Sequence, residues 1–149
     1  MPTEDDIVHE LQLALDRMEV GDYLQARDVL LGVLETGFRT PHKSMALTEL
    51  AWVESNLGNH EKALIYAKES IALTPRDERS SVALLLCLMD LEMYKEGIDE
   101  IARFLSLGVP LRLYKQLREP LVEDYSKELE EVGLLDYFNK TLAQIDAES

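Results

Sequence analysis

Leu47-Thr-Glu-Leu-Ala-Trp-Val-Glu-Ser-Asn-Leu-Gly-Asn-His-Glu-Lys-Ala-Leu-Ile-Tyr-Ala-Lys-Glu-Ser-Ile-Ala-Leu-Thr-Pro75 reads as two helices joined by a tight turn at Gly58-Asn59. Leu47, Leu50, Ala51 and Glu54 recur at three- and four-residue intervals, the spacing of one helix face. Ala63, Leu64, Ala67 and Ile71 do the same in the second half, and Pro75 closes the unit.

Related units flank it. Gly58 to Glu92 is 34 residues, as are Ala63 to Gly97 and Ala67 to Ile101. Gly21 to Gly58 is 37, the excess lying near Thr40-Pro41-His42. Small residues at Ala26, Ala63 and Gly97 mark the place where paired helices cross closely, and Tyr23, His60 and Tyr94 follow the turns. Thr3 is a natural N-cap for a helix over about 4–20, and Asp22 for one over about 23–35. Further helices are expected over about 41–57, with Pro41 at the first helical position, then 59–73, 76–91 and 94–107. From Leu111 the period disappears. A short helix over 111–117, an interruption at Pro120, a helix over 121–132 and a last one over 134–145 are expected there.

A 34-residue helix–turn–helix period resembles the tetratricopeptide repeat. The resemblance covers about 7–109 and implies an all-α, tetratricopeptide-type α-solenoid of antiparallel helix pairs, a single domain over 1–149. Repeat 1 falls at about 7–40, repeat 2 at about 44–77, repeat 3 at about 78–110, and C-terminal capping helices at about 111–149. Two positions depart from the repeat's pattern. Its frequent Trp is Glu10, Leu47 and Ser81 here, and its frequent Tyr is Arg17, Glu54 and Leu88.

In such proteins the first helix of each unit lines a concave groove. Carried over residue by residue, the groove is Val8, Leu11, Leu15 and Met18, then Met45, Thr48, Glu49, Trp52 and Asn56, then Arg79, Val82, Ala83, Leu86, Met89 and Asp90. Most are apolar, with three methionines and the only tryptophan. Methionine surfaces adapt to varied apolar partners, and tryptophan is common among interface hot spots. The resemblance therefore implies a non-catalytic module that captures an apolar segment of another protein or peptide, as an adaptor or chaperone does. The same residues equally suit contact with the chain's own tail, because the helix carrying Leu134, Leu135, Phe138 and Leu142 has an apolar face that fits such a groove.

Co-chaperones that grip acidic C-termini use a clamp of Lys, Asn and Arg. The matching positions are Leu11, Leu15, Glu49, Arg79 and Ala83, of which only Arg79 has a suitable charge, so this ligand class is not expected. In size, repeat count and groove chemistry the chain is similar to bacterial type III secretion chaperones for translocator proteins, which hold an extended apolar segment in the groove.

The net charge of −14 argues against nucleic acid or an anionic membrane as partner, since both need a basic face. It leaves a second function class open, an acidic immunity or antitoxin-type inhibitor that masks a basic partner. Homodimerisation through the C-terminal helices is compatible with either. With 46% hydrophobic and 30% charged residues the chain is a folded rather than a disordered one. The run Val82–Met89 is too short to span a bilayer, and Met1–Asp6 has neither the basic start nor the apolar core of a signal peptide, so a cytoplasmic protein is expected.

Cys87, the only cysteine, sits in that apolar run and reads as a packing thiol. His9, His42 and His60 are scattered, with no zinc-helix spacing. The acidic doublets Asp5-Asp6, Glu123-Asp124 and Glu130-Glu131 point in diverging directions on a helix. No catalytic residue, cofactor or metal is assigned, and the chain is not expected to be an enzyme.

Overall fold

Eight helices follow one another in the computed structural model, which describes residues 2–147. They are α1 (Glu4–Glu19), α2 (Tyr23–Glu35), α3 (His42–Asn56), α4 (His60–Leu73), α5 (Glu78–Asp90), α6 (Tyr94–Leu105), α7 (Leu113–Glu131) and α8 (Leu135–Ala147), with no strand among the described residues. Each even-numbered helix packs against the one before it, and α1, α3, α5 and α7 lie in sequence, each touching the next of the set. This is a tetratricopeptide-type α-solenoid.

One turn design joins every pair. After α1, α3, α5 and α7 the chain enters the left-handed region at Gly21, Gly58, Glu92 and Gly133. The next N–H then reaches back to a carbonyl five residues earlier: Asp22 to Arg17, Asn59 to Glu54, Met93 to Leu88 and Leu134 to Leu129, at 2.8, 2.8, 2.9 and 2.8 Å. These bonds satisfy carbonyls that the helix end leaves free. Three of the four turns use glycine, which adopts positive φ without steric cost. The fourth, Glu92, has φ 60° and a full side chain.

Close approach within a pair needs a small residue. Ala26 and Ala63 are fully buried, and a Cβ added to Gly97 would lie 2.8 Å from the sulfur of Met89. The first helix opens with the expected capping box, Thr3 and Asp6 each bonding the other's backbone N–H. Asp22 caps α2, its carboxylate accepting from the Gln25 N–H. Pro41 differs from the expectation. It is the cap residue of α3, one position before the first helical residue, His42.

The C-terminal region also differs. Pro120 lies inside one continuous helix, α7, rather than between two. Proline removes one backbone bond there, but Pro120 is exposed, and Tyr114, Leu121 and Leu129 bury α7 on both sides of it. Burying large apolar side chains contributes about 1.5–3 kcal/mol each, enough together to offset roughly 3 kcal/mol for an internal proline. The α7 start is held by the Glu78 carboxylate, which accepts from the backbone N–H groups of Arg112 and Tyr114 at 3.0 and 2.9 Å.

The helix α8 packs on α6 and α7. Its Phe138, Leu142 and Ile145 join Ile98, Ile101 and Leu105 in one apolar cluster. It caps the end of the array and does not lie along α1 and α3.

Candidate functional site

The central unit places its side chains as its spacing dictates. Leu47, Leu50, Ala51 and Glu54 turn into the core, and so do Ala63, Leu64 and Ala67. The opposite face of α3 then carries Met45, Glu49, Trp52 and Asn56, spaced three or four residues apart. Between this face, the end of α1 and the start of α5 lies an open recess of about 350 Å³. Six of the expected groove residues line it, Leu15, Met18, Glu49, Trp52, Asn56 and Arg79, together with Glu19 and Tyr23.

Glu19 and Tyr23 were not among the groove positions. Glu19 continues the stripe one turn beyond Leu15, a spacing visible in the sequence. Tyr23 opens α2, a second helix of a pair, so a rule restricted to first helices passes over it. Val8 and Met45, at helical spacing from Leu15 and Glu49, are about half exposed and extend the apolar face away from the recess.

Other expected groove residues are not brought to this surface. Leu11 is buried with Ile7 and Ala14 against α2 and α3. Val82 and Met89 belong to the cluster that also holds Tyr114, Leu121 and Leu129 of α7, and Met89 faces Gly97 of α6. These three are core residues in the structure. Their positions line a groove only where the neighbouring helix stands further off. Thr48 and Ala83 are buried too. Leu86 is partly covered by the same cluster, and Asp90 is exposed at the rim, where its carboxylate accepts from Ser55 Oγ at 3.0 Å.

The polar end of the recess is a single ion pair. Arg79 Nε donates to Glu49 Oε1 at 2.8 Å, and Nη2 donates to the same oxygen. Burial pushes the Glu49 carboxyl above its ordinary range, and the Arg79 guanidinium pulls it part of the way back. Asn56 turns inward along its own helix, donating from Nδ2 to the Trp52 carbonyl at 2.8 Å. Trp52 is partly buried, wedged between the recess and the C-terminal apolar cluster.

Two polar clusters lie inside the array. Ser44 and Thr48 of α3, Ser70 of α4, Thr74 just past its end, and Ser80 of α5 form a hydroxyl network in which Ser70 Oγ lies 2.6 Å from Thr48, 2.9 Å from Ser80 and 3.0 Å from Ser44. Ser81, Glu100, Arg103 and Tyr114 form the second, with Ser81 Oγ 2.7 Å from the Tyr114 hydroxyl. Both are internal ties between helix pairs. Periodicity gives no sign of either, because serine and threonine serve turns and surfaces more often than cores.

A larger recess, about 440 Å³, lies over the α2–α3 loop, lined by Phe38, Pro41, His42 and Glu4. It is built mostly from loop residues, and every polar side-chain atom there is either solvent-exposed or paired. Cys87 is buried, and burial raises its thiol to about 12, which keeps it protonated and unreactive. Among the described residues there is no group of three His, Cys, Asp or Glu placed to hold a metal ion. No helix among them is long and apolar enough to cross a membrane.

No family model matches the chain, and no curated protein matches its sequence. The fold does have a solved counterpart. The chain is similar to the Yersinia enterocolitica type III secretion translocator chaperone SycD, crystallised as an alternative dimer, with a TM-score of 0.63 and 14% identity over 99% of this chain and 98% of that one. At that identity the likeness is one of fold.

Proposed function

We propose that this protein is a non-catalytic binding module that holds an apolar segment of a partner protein against the face formed by α1, α3 and the start of α5. The observation that carries this reading is the recess itself, in which Leu15, Met18, Tyr23 and Trp52 meet beside one internally neutralised ion pair. Val8 and Met45 continue it with exposed apolar surface. Exposed apolar area of this kind is unfavourable unless something covers it. The similarity in fold to a translocator chaperone supports the same class of work, binding another protein. The repeat boundaries of about 7–40, 44–77 and 78–110, with a cap from about 111, belong to this reading.

The test uses a fluorescein-labelled 12-residue peptide of alternating leucine and serine, followed by anisotropy. Saturable binding that falls at least about tenfold in Trp52→Ala, with the melting curve of the variant still cooperative, supports the groove. Equal affinity in a folded Trp52→Ala protein rejects it. Titrating a labelled peptide of alternating lysine and serine at low and high salt tests the acidic-inhibitor alternative, which needs a basic partner and a steep salt dependence.

A further inference from the structure

The recess has two unlike ends. At one, the only cation that lines it, Arg79, is already paired with Glu49. At the other, three helices finish together. Glu19 is the last residue of α1 and Asn56 the last of α3, and both line the recess. Ser55, beside Asn56, donates to the carboxylate of Asp90, the last residue of α5.

The free carbonyls of a helix end carry partial negative charge, which favours cations. Two exposed carboxylates add to it here. Among the described residues neither Glu19 nor Asp90 pairs with a lysine or arginine, and Asp90 has only Nδ1 of His60, at 3.6 Å. Arg17 is the one basic residue in the last turn of any of the three helices. It is two positions from Glu19, and residues so spaced on a helix do not face each other.

Beyond Asp90 the carboxylates continue around two aromatic rings. Tyr94 and Tyr125 stand edge to face with centroids 6.4 Å apart, and both pack on the same apolar cluster as Trp52. Burial pushes the Tyr125 phenol up to about 12, with the charges of Asp90 and Asp124 adding to it and no cation drawing it back. Aromatic faces also attract cations. An acidic segment would be repelled here, and a second copy of this chain would bring a further charge of −14.

We propose that the segment held in the groove is apolar in its middle and basic at its flank, with the Lys or Arg side chains of that flank lying at the joint ends of α1, α3 and α5, between Glu19 and Asp90. This rests on the groove reading above and names the class of segment that the groove takes.

The test uses three labelled peptides that share one leucine–serine core and carry two lysines, two glutamates or two serines at each end, with the alternating lysine–serine peptide as a fourth. Each is titrated by anisotropy into the wild-type protein and two double variants, with circular dichroism to confirm folding. One is Glu19→Gln with Asp90→Asn. The other, Glu35→Gln with Glu69→Gln, removes the same two charges from exposed positions on α2 and α4. The expected result in the wild type is tighter binding of the lysine-flanked than of the glutamate-flanked peptide by about tenfold. That preference shrinks in the first double variant and stays in the second. Equal affinity for the two peptides overturns the proposal while leaving the groove standing. So does a preference that survives in the first variant, or one that falls equally in both, which would trace it to net charge alone. Binding of the lysine–serine peptide as tight as that of the lysine-flanked one overturns it too, because the apolar middle would then contribute nothing. If no peptide with the leucine–serine core binds, the groove reading falls and the proposal with it.

Discussion

Arg27 of α2 donates from Nη1 to Oε1 of Glu54 at 3.1 Å, and the Glu54 side chain has no solvent exposure at all. Lys62 of α4 lies 3.5 Å from the other carboxylate oxygen. One buried acid on the central helix thus ties together the helices on either side. Removing one partner of a buried pair leaves an uncompensated charge, which costs about 3–5 kcal/mol when both partners are enclosed.

Arg27 is about a third exposed, so solvent screens part of that effect, and Arg27→Ala is expected to destabilise by about 2–3 kcal/mol. Lys62 is more than half exposed, and Lys62→Ala is expected to cost under about 1 kcal/mol. The paired replacement Arg27→Met with Glu54→Leu is expected to recover most of the loss, since no charge is then buried. Urea unfolding of the three variants measures all of this. A large effect from Lys62 and none from Arg27 would contradict the assignment.

Ser70 is the hub of the hydroxyl network. Ser70→Ala removes the atom that Ser44, Thr48 and Ser80 share and is expected to cost about 1–3 kcal/mol, the range for leaving buried polar groups unmatched. Thr74, which retains its contacts with Ser44 and Ser80, limits the damage. Chemical denaturation checks the value, and hydrogen exchange should show its effect concentrated in α3, α4 and the start of α5.

Glu92 occupies a turn that glycine occupies three other times. An L-residue in the left-handed region is disfavoured by roughly 1–2 kcal/mol, so Glu92→Gly is expected to stabilise the protein by about 0.5–1 kcal/mol after the entropy that glycine adds to the unfolded chain. The mirror experiment, Gly58→Ala, is expected to destabilise by about 1 kcal/mol. Thermal melts of the two variants should move in opposite directions.

Glu49 makes stability depend on pH. Its folded-state carboxyl titrates above the ordinary value of 4.5, with burial as the first cause. The folded chain therefore holds that proton to higher pH than the unfolded chain. Below 4.5 both states are protonated and Glu49 costs nothing. As pH rises through the folded value the cost of the buried charge appears in full. Glu49→Gln removes the charge while keeping an acceptor for Arg79. It is expected to be more stable than the wild type at pH 7, with the advantage fading as the pH falls through the folded value and gone below 4.5. An advantage that grows on acidification would show that Arg79, not burial, dominates.

Much of this architecture was legible from small residues and turns. The spacing of Gly21, Gly58 and Ala63 sets out the helix pairs, and Glu49, Trp52 and Arg79, which the repeat resemblance carries to a groove, line one recess in the structure. The C-terminal third was not. Pro120 marked a break by local rules, but burial of Tyr114, Leu121 and Leu129 overrode them, a decision that only tertiary packing makes. Gly133 sits 41 residues after Glu92, so the last turn falls outside the 34-residue period although its hydrogen bonds repeat those of the others. Val82 and Met89 were misplaced for a related reason, because spacing shows that a residue leaves the intrahelical face but not how near the next helix stands.

The hydroxyls between α3, α4 and α5 bear on how this solenoid can bend. Apolar teeth lock a joint in one position, since sliding opens voids. A hydroxyl both gives and takes a hydrogen bond and rotates freely about its own stem. When one helix shifts slightly against the next, each of Ser44, Thr48, Ser70, Thr74 and Ser80 can trade one neighbour for another with no oxygen left stranded. These five side chains thus meet through groups with no fixed donor or acceptor, whereas the Glu49–Arg79 pair ties the same two helices, α3 and α5, by charge.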